Sequence, residues 1–277
     1  MTDQQLVQRC KALAKQIRKD IIEMTYSTGN VGAHIGGSLS LVEILAALYG
    51  GIVRYEANNP LMEERDRVIL SKGHGALALY PALAGVGIIQ REKLDAFKQD
   101  GSDLSAHPSL TGMPGIEYAS GSLGQGLSLG VGACLALRRK QNEDSRVFVI
   151  LGDGECDEGS VWESAASAAH FGLNQLVAIV DENHIQYDGW TKDVMDMGAM
   201  ESKWKSFGWE TCVTDGHDVE ALLDAFGSKR EKPLVVLAQT VKGKGVSFIE
   251  NNKQYHNNRL SQLQYEQALT EVEKEND

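Results

Sequence analysis

The residues best suited to chemistry lie between positions 147 and 189. An apolar run, Val147–Leu151, gives way to Gly152-Asp153-Gly154. A second, Leu176–Val180, gives way to Asp181-Glu182-Asn183-His184-Ile185. About thirty residues separate Asp153 from Asn183, the length of one strand–helix–strand crossover. Such a crossover sets the two strand ends side by side on one edge of a parallel sheet. A carboxylate oxygen and an amide oxygen there suit one hard divalent cation, which commonly completes its shell from a ligand's phosphates. Gly152 and Gly154 let backbone approach those phosphates, and the following helix, with Glu158 in its first turn, has an N-terminus that favours anions. A Gly-Asp-Gly triplet alone is also compatible with a plain turn in which the aspartate caps a helix. The asparagine at crossover distance is what favours the metal.

Histidine is the second source of chemistry. His34 (VGAHIGG), His74 (SKGHG) and His107 (SAHPSLTG) lie in glycine-containing segments at expected loop ends. Imidazole titrates near neutral pH, so it suits proton transfer to and from hydroxyls. Any one loop histidine is more often a hydrogen-bonded surface residue. Three in such settings point to a place where a ligand comes close.

The elements that must position these groups alternate. Apolar residues at Leu6, Cys10, Leu13, Ile17, Ile21 and Met24 predict a helix over 3–27 with one buried face. Ser38 is expected to cap a second helix running to Tyr49. Arg67–Leu70, Val147–Leu151, Leu176–Val180 and the PLVVLAQT segment within 232–240 read as buried strands. Helices are expected over 76–86, through 133–140 and over 157–171, with a long loop over 100–120 and a peripheral helix from Ser261. This alternation predicts an α/β fold, a doubly wound and mostly parallel sheet with helices on both faces. Ligands of such folds bind at the strand C-terminal edge.

Composition narrows the class. The chain has 277 residues, 27 basic and 38 acidic, so its net charge of −11 argues against nucleic acid as a partner. With 42% hydrophobic and 23% charged residues it is neither disordered nor fibrous, and it is long enough for one large α/β domain or two small ones. Its 29 glycines exceed the usual ~7%, which predicts several loops with close backbone approach. Cys10, Cys134, Cys156 and Cys212 form no CxxC pair, so neither a zinc knuckle nor a disulfide framework is expected. The N-terminal segment is polar, and the longest apolar stretch, 39–53, is broken by Glu43 and Gly50-Gly51. No membrane partner and a cytoplasmic location are therefore expected.

The string GDGECDEG followed by DEN resembles the thiamine-diphosphate-binding motif. AHIGGSLSLVEILAALY, DRVILSKGHGALALYPAL, SAHPSLTGMPGIEYASGSLGQGLSLGVG and VWESAASAAHFGLNQLVAIVDENHIQYDG resemble the N-terminal part of transketolases, in order and across nearly the whole chain. The resemblance implies one diphosphate-binding domain over 1–277, with a two-carbon ketol unit moved from a ketose phosphate to an aldose phosphate. It implies a metal site of Asp153, Asn183 and the backbone carbonyl of Ile185, for Mg²⁺ or else Ca²⁺ or Mn²⁺. Thiamine diphosphate would be contacted by His74, Gly154 and Asn183 at the diphosphate, and by the Gly121 carbonyl, Ser122 and Leu123 at the aminopyrimidine ring. Ser122 stands where many members have proline. Glu158 would join a carboxylate network that links paired cofactors across the subunit interface. His34 and His256 would contact substrate hydroxyls, and His107 the group near the reacting carbon. His170, His184 and His217 match no family role and read as structural. Asn257-Asn258-Arg259 departs from the family pattern after His256.

Two things the family needs are missing from the resemblance: the glutamate that binds the pyrimidine ring and the arginines that bind the sugar phosphate. Both belong to further domains. A partner chain with pyrimidine-binding and C-terminal domains is therefore expected, in an α₂β₂ assembly. The alternatives are a subunit of another thiamine enzyme, either a 2-oxo acid dehydrogenase α-subunit or a deoxyxylulose-phosphate synthase fragment, and an inactive cofactor-binding subunit.

Overall fold

The computed structural model describes residues 3–228 and 230–274. Five strands form one wholly parallel sheet: β1 (Arg67–Leu70), β2 (Val147–Gly152), β3 (Leu176–Glu182), β4 (Glu210–Asp215) and β5 (Leu234–Gln239), in the order β1-β2-β3-β5-β4. The helices are α1 (Gln4–Ser27), α2 (Ile35–Leu39), α3 (Val42–Ala47), α4 (Ala76–Gly85), α5 (Gly126–Arg139), α6 (Gly159–His170), α7 (Thr191–Val194), α8 (Met200–Ser206), α9 (Val219–Gly227) and α10 (Gln262–Lys274).

Strand alternation divides the core in two. Val68, Leu70, Phe148, Ile150, Val177, Ile179 and Val236 pack on one face with apolar residues of α1, α3, α4 and α9. Ile69, Val147, Val149, Leu151, Ala178, Val180 and Val235 pack on the other with α5, α6 and Trp204 of α8. At the centre of the sheet neither face meets water, so β2 and β3 are buried at every position, which is why the sequence shows unbroken apolar runs there rather than alternation. Each fully buried Val, Leu or Ile contributes about 1.5–3 kcal/mol. The route from β2 to β3 to β4 moves one way across the sheet over the α6–α8 face. The return from β4 to β5 runs over the α9 face, as right-handed crossovers require. The expected doubly wound α/β class is therefore met, and among the described residues the sheet has no antiparallel member.

Two local expectations change. Ser38 does not cap a helix: it lies inside α2, whose cap position is His34, and its hydroxyl donates to the His34 carbonyl at 2.8 Å. The chain then breaks at Ser40-Leu41, restarts as α3, and ends in a wide turn at Leu48–Ile52 over the glycine pair. The strand β4 is an addition to the expected set. It is an edge strand, and its Val213 side is half exposed, so ETCVTD lacks the apolar run of its neighbours. Among the described residues no helix is long and apolar enough to cross a membrane.

Candidate active site

Gly152 pairs in register with Asp181, so the residues that follow β2 and β3 leave the sheet side by side. Asp153, 9% exposed, bridges the two exits. Its Oδ1 accepts the Gly154 N–H at 2.9 Å, and its Oδ2 accepts the His184 N–H at 2.6 Å. Burial, and then the neighbouring Asp181 carboxylate, push the Asp153 carboxyl above its ordinary range. Asn183 donates from Nδ2 to Asp181 at 3.0 Å and accepts the Ile185 N–H on Oδ1 at 3.2 Å. The Ile185 carbonyl accepts from Lys242 Nζ at 2.6 Å. The three expected metal ligands thus belong to one hydrogen-bonded cluster, and all present oxygen, the donor a hard cation takes. A cation bound by all three would have to share the Ile185 carbonyl with the Lys242 ammonium. Among the described residues no three His, Cys, Asp or Glu side chains are grouped to hold a metal, which is consistent with a site in which two of three ligands are amide and carbonyl oxygens.

Beneath this cluster lies Asp181, fully buried. Its carboxylate accepts from Ser40 at 2.6 Å, from Asn183, from Thr240 and from the Lys72 ammonium. Burial works to raise its pKa, but Lys72 and these hydrogen bonds hold it below the ordinary value. Lys72, 1% exposed, also donates to the Gly37 carbonyl at 3.1 Å. A second buried cation, Lys242, has its pKa lowered to about 8 by burial and by Lys72. Asp181, Lys72 and Lys242 are absent from the residues that the sequence points to. Each is a charged residue within three positions of the C-terminal end of a strand, a placement that reads as ordinary loop until the neighbouring strand is known.

Four histidines from four segments converge. His34 lies 5.7 Å from His74, 5.4 Å from His107 and 5.5 Å from His256 between ring centroids, and His74 lies 5.4 Å from His256. All four rings are held neutral near pH 7. Burial lowers the His34 pKa to about 4 and the His256 pKa to about 3, each with help from Lys242. Burial and Lys72 lower His74 well below its ordinary value, and burial lowers His107. Neutral imidazoles both donate and accept, which suits them to hydroxyls and carbonyls and still leaves a ring N–H to donate to a phosphate oxygen. The segment that carries the Asn257–Arg259 departure is paired with the chain around His34. Asn258 and Ala33 exchange two backbone hydrogen bonds of 3.0 Å, and Arg259 donates to the Asn30 side chain. This ties the His256 segment to the His34 segment.

The glycine-rich loop is held from below by Glu155, a residue outside the expected site. Glu155, 3% exposed, accepts the Gly124 N–H at 2.8 Å, the Gly152 N–H at 3.0 Å and the Ser71 hydroxyl. Gly124, at φ +80°, has no room for a side chain: a Cβ would lie 2.7 Å from the Glu158 Cβ. Gly121, at φ +145°, faces the His107 ring, which a Cβ would meet at 3.4 Å. Gly121, Ser122 and Leu123 are exposed on the outer side of this loop. Gly154 lies against the Gln186 side chain. Glu158 sits at the cap position of α6 rather than in its first turn, makes no capping hydrogen bond and is exposed. Of the histidines read as structural, His217 is bonded to Glu43 and Val241, and His184 is exposed with φ +62°.

Residues 3–272 match the family described as "Transketolase, thiamine diphosphate binding domain". The chain is 40% identical over 266 residues to a 6-deoxy-6-sulfo-D-fructose transketolase subunit of Clostridium sp. (strain MSTE9), covering 95% of each chain. It is 38% identical over 269 residues to an apulose-4-phosphate transketolase subunit of Phocaeicola vulgatus, covering 96% of this chain and 94% of that one. The crystal structure of Campylobacter jejuni transketolase superposes with a TM-score of 0.86 at 26% identity over 98% of this chain, which spans 43% of that longer one. With the family matched over nearly its full length and the fold agreeing with a solved member, the chain belongs to the transketolase family, as its thiamine-diphosphate-binding domain.

Proposed function

We propose that the chain is the diphosphate-binding subunit of a two-chain transketolase, moving a two-carbon ketol unit from a ketose to an aldose. One observation carries the reading: the chain matches relatives named as transketolase subunits over about 95% of both lengths, while it spans 43% of a full-length transketolase. The remaining part, with the pyrimidine-binding and C-terminal domains, would be a second polypeptide, in an α₂β₂ assembly. On this reading residues 1–277 are one domain, in the cytoplasm.

The oxygen donors of Asp153, Asn183 and Ile185 support a divalent cation, with Mg²⁺ the first choice. The diphosphate would lie beside Gly154, Asn183 and His74, and the aminopyrimidine beside Gly121, Ser122 and Leu123. When bound, thiamine diphosphate supplies the carbanion chemistry that cleaves and re-forms the carbon–carbon bond. The chain's own residues orient and exchange protons. His107, beside Gly121, would hydrogen-bond the reacting carbonyl or hydroxyl. His34 and His256, held neutral by burial, would contact the other substrate hydroxyls. The exposed Glu158 is free to meet a carboxylate of a paired subunit.

The test is reconstitution with a partner chain that carries the pyrimidine-binding and C-terminal domains. The pair, given thiamine diphosphate and Mg²⁺, should transfer the ketol unit, and this chain alone should not. Turnover by the chain alone would overturn the two-chain reading. In the reconstituted enzyme Asp153→Ala should abolish Mg²⁺-dependent cofactor binding, and unchanged affinity would remove the metal assignment. Pentose and heptulose phosphates are the default substrates. The relatives are named for 6-deoxy-6-sulfo-D-fructose and apulose-4-phosphate, so both belong in the screen.

A further inference from the structure

The Val241–Lys244 turn, which carries Lys242 into the site, is gripped at both ends by polar side chains from outside it. At one end the Val241 N–H donates to His217 Nε2 at 2.8 Å. Since Nε2 accepts, the ring proton lies on Nδ1, where it is donated to Glu43 Oε2 at 2.8 Å. The other oxygen of Glu43 accepts from the Arg18 guanidinium. Arg18 Nε then reaches the far end of the turn and donates to the Lys244 carbonyl at 3.3 Å. The circuit closes: His217 follows β4, Glu43 is on α3, Arg18 is on α1, and both ends of one loop are joined through a single carboxylate.

The middle of the turn is also fixed. The Gly243 N–H donates to the Gly36 carbonyl at 2.9 Å, and the Lys242 carbonyl accepts the Asn251 N–H at 2.8 Å. The Lys242 side chain is left one direction to go, to the Ile185 carbonyl at 2.6 Å and His256 Nδ1 at 3.1 Å. Arg18 is 5% and Glu43 7% exposed. A buried ion pair of this kind gains little stability over apolar residues of equal volume, so its use lies more in the geometry it imposes. A helix-on-helix contact between α1 and α3 needs no carboxylate. A turn whose backbone N–H and carbonyl must be held at fixed points does.

We propose that Arg18, Glu43 and His217 are positioning residues: they clamp both ends of the Val241–Lys244 turn and so hold the Lys242 ammonium between the Ile185 carbonyl and His256. The inference rests on the proposed function only for its kinetic readout. Its structural readout needs this chain alone.

The test is a brief acetic anhydride pulse on the full chain, with labelling at each lysine read by mass spectrometry. His217→Ala should raise the labelling rate of Lys242 about tenfold, the factor expected when a buried backbone donor loses its partner. Labelling of exposed Lys140 should not change. In the reconstituted enzyme the same variant should raise the half-saturating thiamine diphosphate concentration about tenfold while turnover at saturation stays within about twofold, a split that general loss of stability would not produce. His217→Gln, whose amide can accept from Val241 and donate to Glu43, should restore both. Folded His217→Ala protein with Lys242 labelled at the unmodified rate overturns the proposal. Should that variant fail to fold, Glu43→Gln decides. It keeps an acceptor for His217 but gives up the charge that holds Arg18, and wild-type labelling of Lys242 there overturns the proposal equally. A reconstitution that yields no activity leaves the labelling result standing and counts only against the functional reading.

Discussion

Each end of the parallel sheet is built around a buried aspartate, and the two are used differently. At the strand N-terminal edge Asp66, 3% exposed, accepts the backbone N–H groups of Arg54 at 3.0 Å and Arg146 at 2.7 Å, together with the Arg146 guanidinium at 3.0 Å. Asp66 itself immediately precedes β1, Arg146 immediately precedes β2 and is partly exposed, and Arg54 follows the Leu48–Ile52 turn. At the C-terminal edge Asp181 accepts from four side chains, those of Ser40, Lys72, Asn183 and Thr240. Asp66 therefore spends its oxygens mainly on backbone and closes a seam. Asp181 spends its oxygens on side chains, each of which adjoins a candidate site segment. A carboxylate that organises side chains fixes where functional groups point, and one that organises backbone fixes only where strands begin.

Breaking the C-terminal hub should be the most damaging change. Lys72→Met leaves Asp181 as a buried charge without its cation, which costs about 3–5 kcal/mol. Urea denaturation of the isolated chain measures it, and a loss below about 1 kcal/mol would equate this hub with an ordinary surface pair. Next comes His107→Ala. It removes the imidazole proposed to meet the reacting carbonyl or hydroxyl without touching the hub, so turnover should fall roughly 10²–10⁴-fold. Equilibrium dialysis should show cofactor affinity nearly unchanged, and a parallel loss of affinity would reassign His107 to cofactor binding. Smaller again is Asp66→Asn at the opposite edge. One amide oxygen cannot satisfy all the donors there, so stability should fall about 1–3 kcal/mol. Turnover per folded molecule should stay at the wild-type level, and any specific loss of kcat would break the contrast between the two edges.

The same contrast explains what the sequence reveals. The β2 and β3 runs, the Asp153–Asn183 spacing and the helix over α1 are local patterns, and each is legible because burial on two faces or one writes itself into the order of apolar residues. Glu155, Asp181, Lys72 and Lys242 are not legible that way. Their positions follow from which strand lies next to which, and a charged residue at a strand end reads as an ordinary loop residue until the neighbour is known. His34 and His256 are a middle case. The resemblance names both, but only the pairing of Asn258 with Ala33 shows what holds the two segments together. β4 is hard to see because an edge strand has one side in water. Ser38 misleads because a helix cap and a hydroxyl bonded back along a helix use the same residue type.

The smallest predicted effect is a difference in pH dependence, and it separates the edges again, because the C-terminal edge holds the buried histidines. An unfolded histidine titrates near ~6.5. In the folded chain burial lowers His34 to about 4 and His256 to about 3. Between those values and about 6.5 the unfolded chain binds protons that the folded chain refuses. Stability therefore rises with pH across that window, falls as the pH drops from about 6.5 towards 4, and loses nothing further from these groups below about 3. Carboxylates also titrate in this range, so the informative quantity is a difference between proteins. His34→Asn removes one refusing group. Its melting temperature should fall less than that of the wild type between pH 7 and pH 5, whatever its absolute value at pH 7. Asp66→Asn, which changes no histidine, should follow the wild-type slope. Equal slopes for His34→Asn and wild type would mean that His34 accepts its proton in the folded state at an ordinary pH, and that its imidazole is not held neutral by burial.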